Sequence, residues 1–418
     1  MKRREADALD WRVRRRCAKP PPPARGSAEP TRLSDIRLVP APSTRGPFDP
    51  AAIRALGACL ALTAPDVVLL RETIKRVGLD PLFALADLLR LAPALATALS
   101  DKRVFADIPA VALPDGRRSI ARLIADEIAR HEERRNVFAE RLEEIVAACN
   151  AAGIEPTLIK GGRALWLGEP RWRAMMDLDI LAPGAEADRV QRLVKALGYA
   201  EHPGLAERPR RHHLSPLLRR DAPGPIEIHR RGGNRHAEPL LPTEELAAVA
   251  EVRVGARGGR ARVLPAPYHA LHALTHHHVG HAADARGLIE FKGLYEFAAE
   301  VARFGAEDRA ALGERARRHP RLLAALDLWT AAAQDLFAAP VEAPLAAPAD
   351  AAARWRRIFA RMTGARRDRW KYPGYAEELA MGFDAARAAR LAPNGGPLAR
   401  WALGWRTAFS LLPKNPYR

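Results

Sequence analysis

The stretch LIKGGRALWLGEPRWRAMMDLDILAP, residues 158–183, decides the fold prediction. A short apolar run ends at Lys-Gly-Gly, and a second run contains two aspartates one residue apart, Asp177 and Asp179. Side chains alternate along a β-strand, so both carboxylates point to one face while the apolar residues around them point to the other. The stretch therefore predicts two short strands joined by a glycine turn and a short helix, with paired acids on one sheet face.

The paired acids predict a divalent-cation site. Two like charges on one strand face repel each other, and burying them unpaired is costly. Mg²⁺ removes that cost, because it binds one or two carboxylates together with phosphate oxygens. A later strand, IEIHR, places Glu227 and His229 on one face, and a third carboxylate suits a second metal. The alternative is a solvent-facing edge strand. We expect Asp179→Asn to abolish the metal-dependent activity and to leave the fold intact, because it removes a metal ligand and a buried repulsion together.

The Lys-Gly-Gly turn is a candidate phosphate site. Gly161 and Gly162 would expose backbone N–H groups at a helix N-terminus, and Lys160 adds a mobile positive charge. The alternative is an ordinary tight turn. Its combination with the aspartate pair and the later acidic strand favours phosphate binding.

The order of elements predicts an α+β protein with a small mixed sheet and extensive helical additions at both ends. An apolar repeat at near-helical spacing predicts one long helix that closes at Gly153 and leads into the first strand. We divide the chain into a disordered basic Pro-rich tail (1–48), a helical N-terminal region (49–116), the core (117–265), a helical region with a His-rich helix (266–340) and a basic Trp-containing helical C-terminal region (341–418).

Net charge is concentrated at the two ends of the chain. The total is +18 over 418 residues, with 12 basic against 6 acidic residues in 1–50 and 14 against 4 in 351–418. Such ends attract phosphate-rich partners, or simply keep the protein soluble. Tryptophans among the basic residues of the C-terminal region suit single-stranded nucleic acid by stacking, or plain helix packing.

Three cysteines without CxxC spacing favour a reducing compartment over a disulfide framework or a cysteine zinc site. The sequence has no apolar run of about 18 residues and no secretory h-region, so a cytoplasmic protein is the expectation.

Histidines are numerous, and a group of them lies from His269 to His281. Pairs at i,i+4 in this group could bind zinc, but there is no HExxH motif and no identified third ligand, so a structural or substrate-side role is the alternative. His213 and His229 are candidates to support the carboxylate site from beside it.

Together these motifs resemble a known family. LIKGG, RAMMDLDIL with Arg173 and Met175, RHHLSPL, IEIHRR, and a His-rich helix followed by Arg286 and Glu290 are similar to the pattern of the bacterial uncharacterised nucleotidyltransferases. That family belongs to the DNA-polymerase-β-like nucleotidyltransferase superfamily. The resemblance covers about residues 117–300. The sequence departs from the superfamily in having Lys-Gly-Gly where Gly-Ser is usual, and in a slightly short spacing to the aspartates.

The resemblance implies transfer of an NMP group from an NTP to an acceptor with release of pyrophosphate. It assigns Mg²⁺ or Mn²⁺ to Asp177, Asp179 and Glu227, with Glu227 alternatively a base, and the triphosphate to Lys160, Gly161, Gly162 and Arg173. A surface salt bridge is the alternative for Arg173. The acceptor stays open between a small molecule, a peptide and RNA. The rival hypotheses are a non-catalytic nucleotide- or RNA-binding protein on the same fold and a toxin-like enzyme that modifies tRNA or protein.

Overall fold

The computed structural model describes residues 48–64, 66–106, 120–169, 172–201, 212–341, 345, 348–364, 396–398, 401–402 and 405. The predicted disordered tail, apart from its last residue, and most of the basic C-terminal region, including Trp370, lie outside these ranges. Trp355 is described and is buried, with its Nε1 donating to Asp335 Oδ2 at 2.6 Å. This tryptophan therefore contributes to helix packing.

One seven-stranded mixed sheet organises the molecule, in the order β3-β4-β5-β2-β1-β7-β6. At its centre, β2 pairs parallel with β5 and antiparallel with β1, which confirms the predicted α+β plan with a small mixed sheet. The strands are β1 (Thr157–Ile159), β2 (Leu178–Leu181), β3 (Ala200–Glu201), β4 (Leu217–Leu218), β5 (Ile226–His229), β6 (Glu251–Val254) and β7 (Arg260–Val263).

Helices surround the sheet, and several begin or end where the sequence predicts. Asp49 caps the first helix by accepting from the N–H of Ala51 at 2.9 Å, and Pro50 follows at the first helical position. The helices are α1 (Pro50–Cys59), α2 (Val67–Val77), α3 (Leu79–Leu88), α4 (Ala92–Asp101), α5 (Ile120–Ala151), α6 (Lys160–Trp166), α7 (Glu186–Ala196), α8 (Thr243–Val249), α9 (Ala266–Leu274), a π-helical segment (Thr275–Gly280), α10 (Ala283–Arg286), α11 (Phe291–Val301), α12 (Ala306–Arg317), α13 (Pro320–Phe337) and α14 (Ala349–Met362). In the part of the chain that the structure describes, none of these combines the length and apolarity needed to cross a bilayer.

The two faces of the sheet pack into different hydrophobic cores. Leu178, Ile180 and Ile228 point to one face and share a core with α5 and α7. Ile159 and Leu181 point to the opposite face and join a larger core built from α1–α4 together with the helices that follow Ala266. Alternation along β2 puts Asp179 on this second face. The paired-acid strand therefore presents its carboxylate to the junction between the sheet and the helical layer.

Candidate active site

Strand register brings Asp179 and Glu227 together. The parallel β2–β5 pairing aligns these two residues as direct partners, and residues aligned in neighbouring strands share a sheet face. On the other side of β2, Ile159 is the partner of Asp179, and Lys160 follows it as the first residue of α6. Three adjacent strands therefore deliver two carboxylates and one ammonium to the same place.

Asp179 is the centre of this site. Its side chain is 1% exposed, and Oδ1 accepts from Lys160 Nζ and from His229 Nε2, both at 2.7 Å. His229 Nε2 also lies 3.7 Å from Glu227 Oε2. The potential ligand atoms of Asp179, Glu227 and His229 all lie within 4.8 Å of one another. These three residues therefore form a compact, mostly buried group, which we call the carboxylate cluster.

The charges of the site are strongly coupled. Burial disfavours the ammonium of Lys160, but the carboxylates of Asp179, Glu227 and Asp177 outweigh it and raise the Lys160 pKa. Burial likewise disfavours the Asp179 carboxylate, yet Lys160 and His229 hold its pKa well below the usual range. Burial and the charge of Lys160 lower the His229 pKa to about 4, so this imidazole is neutral at pH 7. The positive charge of Lys160 therefore offsets part of the negative charge of Asp177, Asp179 and Glu227.

The glycines of the Lys-Gly-Gly motif lie in the first turn of α6, rather than in a turn before it. A Cβ on Gly161 would lie 2.6 Å from Met175 Cε, and one on Gly162 would lie 3.1 Å from the carbonyl oxygen of Asp179. Lys160 itself has φ of 48°, in the left-handed region that non-glycine residues rarely occupy. The motif thus allows α6 to close tightly on the aspartate strand, and its first N–H groups have no partner within the helix.

Arg173 lies in a different charged contact. Its Nη2 is 2.9 Å from Glu296 Oε2 on α11, and both side chains are nearly buried, at 10% and 5% exposed. Lys292 Nζ lies 3.6 Å from the other oxygen of Glu296. The structure therefore places Arg173 in a buried ion pair that ties the segment before β2 to the helical layer, and a contact between Arg173 and triphosphate remains a prediction.

Histidines line the edge of the carboxylate cluster. His213 forms an isolated β-bridge with His229, and the ring centroids of His212, His213 and His229 lie 4.9 to 5.5 Å apart. Burial and the positive charges of its neighbours lower the pKa of His212 far below the usual value. His229 therefore contacts Asp179, and His213 lies next to His229.

A buried network that the sequence reasoning missed joins the sheet to the helices. Arg163 of α6 donates to Glu169 Oε1 at 2.6 Å and lies 3.4 Å from Glu300 Oε1. His269 Nδ1 lies 2.7 Å from Glu300 Oε2. The available signal was the i,i+4 spacing of Glu296 and Glu300 on helix α11, whose other buried residues are uncharged, since buried acids on such a face need cationic partners.

The His-rich segment contacts the acid that follows it. Residues Thr275–Gly280 are π-helical, a form often found at functional sites. Glu290 accepts from His277 Nδ1 at 2.8 Å and from His281 Nδ1 at 2.7 Å, and burial opposed by these histidines leaves the Glu290 pKa well below its usual value. Arg286 donates to the carbonyl of His281 at 2.9 Å. Arg286 therefore stabilises the backbone at the end of the segment.

The charge of Lys160, which pairs with Asp179, lowers the pKa of two histidines in α9 and the π-helical segment. His272 Nε2 donates to the carbonyl of Gly232 at 2.7 Å, and burial followed by the charge of Lys160 lowers its pKa to about 3. Burial and then Lys160 also lower the pKa of His276 well below its usual value. The charge of Lys160 therefore affects these two histidines as well as His229.

The residues present fit a hard divalent cation. Asp179 Oδ2 is buried and, within the described ranges, accepts no hydrogen bond, although Oδ1 accepts two. A buried carboxylate oxygen without a partner is costly, and a cation removes that cost. Glu227, whose side chain is 23% exposed, can supply a second oxygen and leave room for a substrate ligand. A separate cavity of about 570 Å³, lined by Glu155, Thr157 and Arg260 among others, contains none of these residues.

We expect acid to destabilise the fold between pH 6.5 and about 4. His272 and His229 have ordinary pKa values of 6.5 when unfolded but about 3 and about 4 when folded, so the unfolded chain binds more protons in this window. Each buried neutral histidine then contributes a slope of up to about 1.4 kcal/mol per pH unit. Urea unfolding at pH 7, 6 and 5 measures the slope. His272→Gln keeps a donor for Gly232 and should flatten it, whereas an equally steep profile in both proteins contradicts the burial argument.

Comparison with known proteins gives one match. The model of a family described as "Uncharacterised nucleotidyltransferase" matches residues 76–338, which is more than half of the chain. The match extends beyond the motif-bearing stretch on both sides. No curated protein and no solved structure matches the chain.

Proposed function

Because the chain belongs to the uncharacterised nucleotidyltransferase family, we propose that it moves an NMP group from an NTP to an acceptor. An acceptor hydroxyl gives up its proton to Glu227 or to solvent and its oxygen bonds to the α-phosphorus, while the bond between the α-phosphorus and the bridging oxygen breaks and pyrophosphate leaves. The proposed cofactor is Mg²⁺ or Mn²⁺, held by Asp177, Asp179 and Glu227. When bound, it neutralises charge on the phosphates and orients the reacting oxygens.

One observation carries the proposal: the register pairing of Asp179 with Glu227 beside a buried carboxylate oxygen that lacks a hydrogen-bond donor. Lys160 and His229 donate to Oδ1 and leave Oδ2 available, so a cation bound at Oδ2 would remove the cost of burying that oxygen without a donor. Glu227 is the most exposed member of the cluster, at 23% against 1% for Asp179 and His229, so a substrate would approach the cluster from the side of Glu227.

The remaining residues have proposed roles in binding and orientation. Lys160 balances the acids in the absence of ligand and is within reach of a phosphate that approaches them. Gly161 and Gly162 offer backbone N–H groups to the triphosphate, with α6 held against the aspartate strand. His213 and His229 orient the acids. Arg173 is proposed to bind phosphate only if nucleotide binding displaces it from Glu296.

The substitution Glu227→Gln should reduce transfer activity and leave the free energy of unfolding nearly unchanged. We expect transfer to fall by about 10²-fold or more, because a metal ligand is lost. Stability should change by less than about 1 kcal/mol, because the side chain is 23% exposed. The measurements are transfer of label from an α-labelled NTP and urea unfolding. Glu251→Gln, an exposed glutamate on the edge strand β6, is the matched control and should match the unsubstituted protein in both.

Two outcomes of that experiment would redirect the proposal. Metal-dependent nucleotide binding without transfer, in the presence of a cell extract, would favour a nucleotide- or RNA-binding protein on this fold. Normal transfer by Glu227→Gln would remove Glu227 from the metal site. Fractionation of the extract would identify the acceptor as a small molecule, a peptide or an RNA, including the tRNA or protein target of a toxin-like enzyme.

A further inference from the structure

Three histidines of the His-rich segment form a compact cluster of their own. The potential ligand atoms of His276, His277 and His281 lie within 4.8 Å of one another. Their ring centroids are 4.5, 5.0 and 5.6 Å apart in pairs. The π-helical widening of Thr275–Gly280 makes this grouping, because these three positions do not share one face of a regular α-helix. We call these residues the imidazole cluster.

Glu290 prepares two of these rings for metal binding. It accepts from Nδ1 of both His277 and His281, which fixes the tautomer of each ring and leaves Nε2 with its lone pair. A carboxylate behind a ligating histidine is the usual arrangement at zinc sites, where it raises ligand basicity and sets ring orientation. Glu290 reaches this position from the residue just before α11, so the arrangement joins two separate elements.

We propose that the imidazole cluster binds one zinc ion, with His276, His277 and His281 as ligands and Glu290 orienting two of them. Zn²⁺ favours imidazole nitrogen and binds three protein ligands in sites that keep one position open. The carboxylate cluster offers mainly oxygen, which suits Mg²⁺ instead. The chain therefore carries two metal sites of different chemistry on the same side of the sheet. Zinc binding here does not depend on nucleotidyl transfer.

Two features of the surroundings bear on this site. Lys160, which is paired with Asp179 at 2.7 Å, lowers the pKa of His276 and is the lysine whose charge opposes a cation at this ring. The cluster is partly accessible, with the side chains of His277 and His281 12% and 29% exposed. A zinc ion can thus enter from solvent.

Calorimetric titration of zinc into the tag-free, chelator-treated full chain tests the proposal. We expect one equivalent of zinc in the unsubstituted protein and loss of that equivalent in the double variant His277→Ala and His281→Ala. Glu290→Gln should weaken zinc binding by about 10- to 100-fold, since it removes the orienting carboxylate and not a ligand. Glu227→Gln is the matched control and should keep the full equivalent, because it alters only the other metal site.

Cobalt substitution in the unsubstituted protein keeps the test independent of how the variants fold. One equivalent of Co²⁺ with the intense visible absorption of a four-coordinate site, displaced by zinc, supports the proposal. No zinc binding by the unsubstituted protein overturns it. Equal zinc binding by a folded His277→Ala/His281→Ala variant, or loss of zinc in Glu227→Gln, also overturns it, because either result places the zinc elsewhere.

Discussion

Asp179→Asn is expected to lower nucleotidyl transfer by about 10³-fold, which corresponds to about 4 kcal/mol of transition-state stabilisation. Asp179 provides the buried oxygen without a hydrogen-bond donor, Oδ2, and an amide at this position is a far weaker metal ligand. Transfer from an α-labelled NTP at saturating Mg²⁺ measures the loss. If excess Mn²⁺ restored normal transfer, the substitution would have weakened metal binding. It would not have changed how the charge on the substrate is neutralised.

The same substitution is also expected to destabilise the fold, by about 3 kcal/mol, because it leaves the ammonium of Lys160 buried beside a neutral amide. The sequence alone suggested the opposite, since repulsion between Asp177 and Asp179 would be relieved. Because Lys160 Nζ lies 2.7 Å from Asp179 Oδ1, the loss of this ion pair outweighs the relief of the repulsion. Asp221→Asn is the matched control, since this aspartate is 55% exposed and pairs with Arg219 near the surface. An Asp179→Asn protein as stable and active as Asp221→Asn would contradict both parts.

Lys160→Met is expected to lower the free energy of unfolding by about 3 kcal/mol in metal-free buffer. It removes the one ammonium whose pKa is raised jointly by Asp179, Glu227 and Asp177, so their mutual repulsion is no longer balanced. Mg²⁺ should then stabilise the variant more than it stabilises the unsubstituted protein, because the cation takes over the neutralising role. Thermal unfolding with and without Mg²⁺ measures the difference.

A control substitution at an exposed lysine tests whether the loss of stability and the response to Mg²⁺ are specific to Lys160. Lys195 pairs with Glu201 at 2.5 Å, but both side chains are about 40% exposed. Lys195→Met should therefore cost less than about 1 kcal/mol and show no added response to Mg²⁺. If Lys160→Met also cost less than 1 kcal/mol, or responded to Mg²⁺ no more than the control, the buried charge balance described here would be wrong.

Local patterns were enough to predict much of the fold. The apolar spacing of α5, the cap at Asp49 and the turn that joins β4 to β5 are each encoded within a few residues, and each is found as expected. Strand alternation likewise gave the expectation that Glu227 and His229 share one face of their strand. These features depend on backbone periodicity, which sequence reveals directly.

The sequence did not reveal which side chains on distant helices and strands would form ion pairs or hydrogen bonds with each other. Arg173 was expected at a phosphate or on the surface, yet its partner is Glu296, on a helix 123 positions later in the chain. Glu290 accepts hydrogen bonds from two histidines of the preceding segment, His277 and His281, which lie 13 and 9 positions earlier in the chain. Such contacts depend on how the helical layer docks on the sheet, and no local periodicity encodes that docking.

The most direct measurement is incubation of the purified chain with each α-labelled NTP, Mg²⁺ or Mn²⁺ and a crude cell extract, beside the double variant Asp177→Asn and Asp179→Asn. We expect label on a macromolecule or metabolite that requires both the metal and the two aspartates. Pyrophosphate should appear in equal amount. Label that persists in the double variant, or a chain that binds no nucleotide in any of these conditions, would contradict the proposal that the carboxylate cluster is the active site of a nucleotidyltransferase.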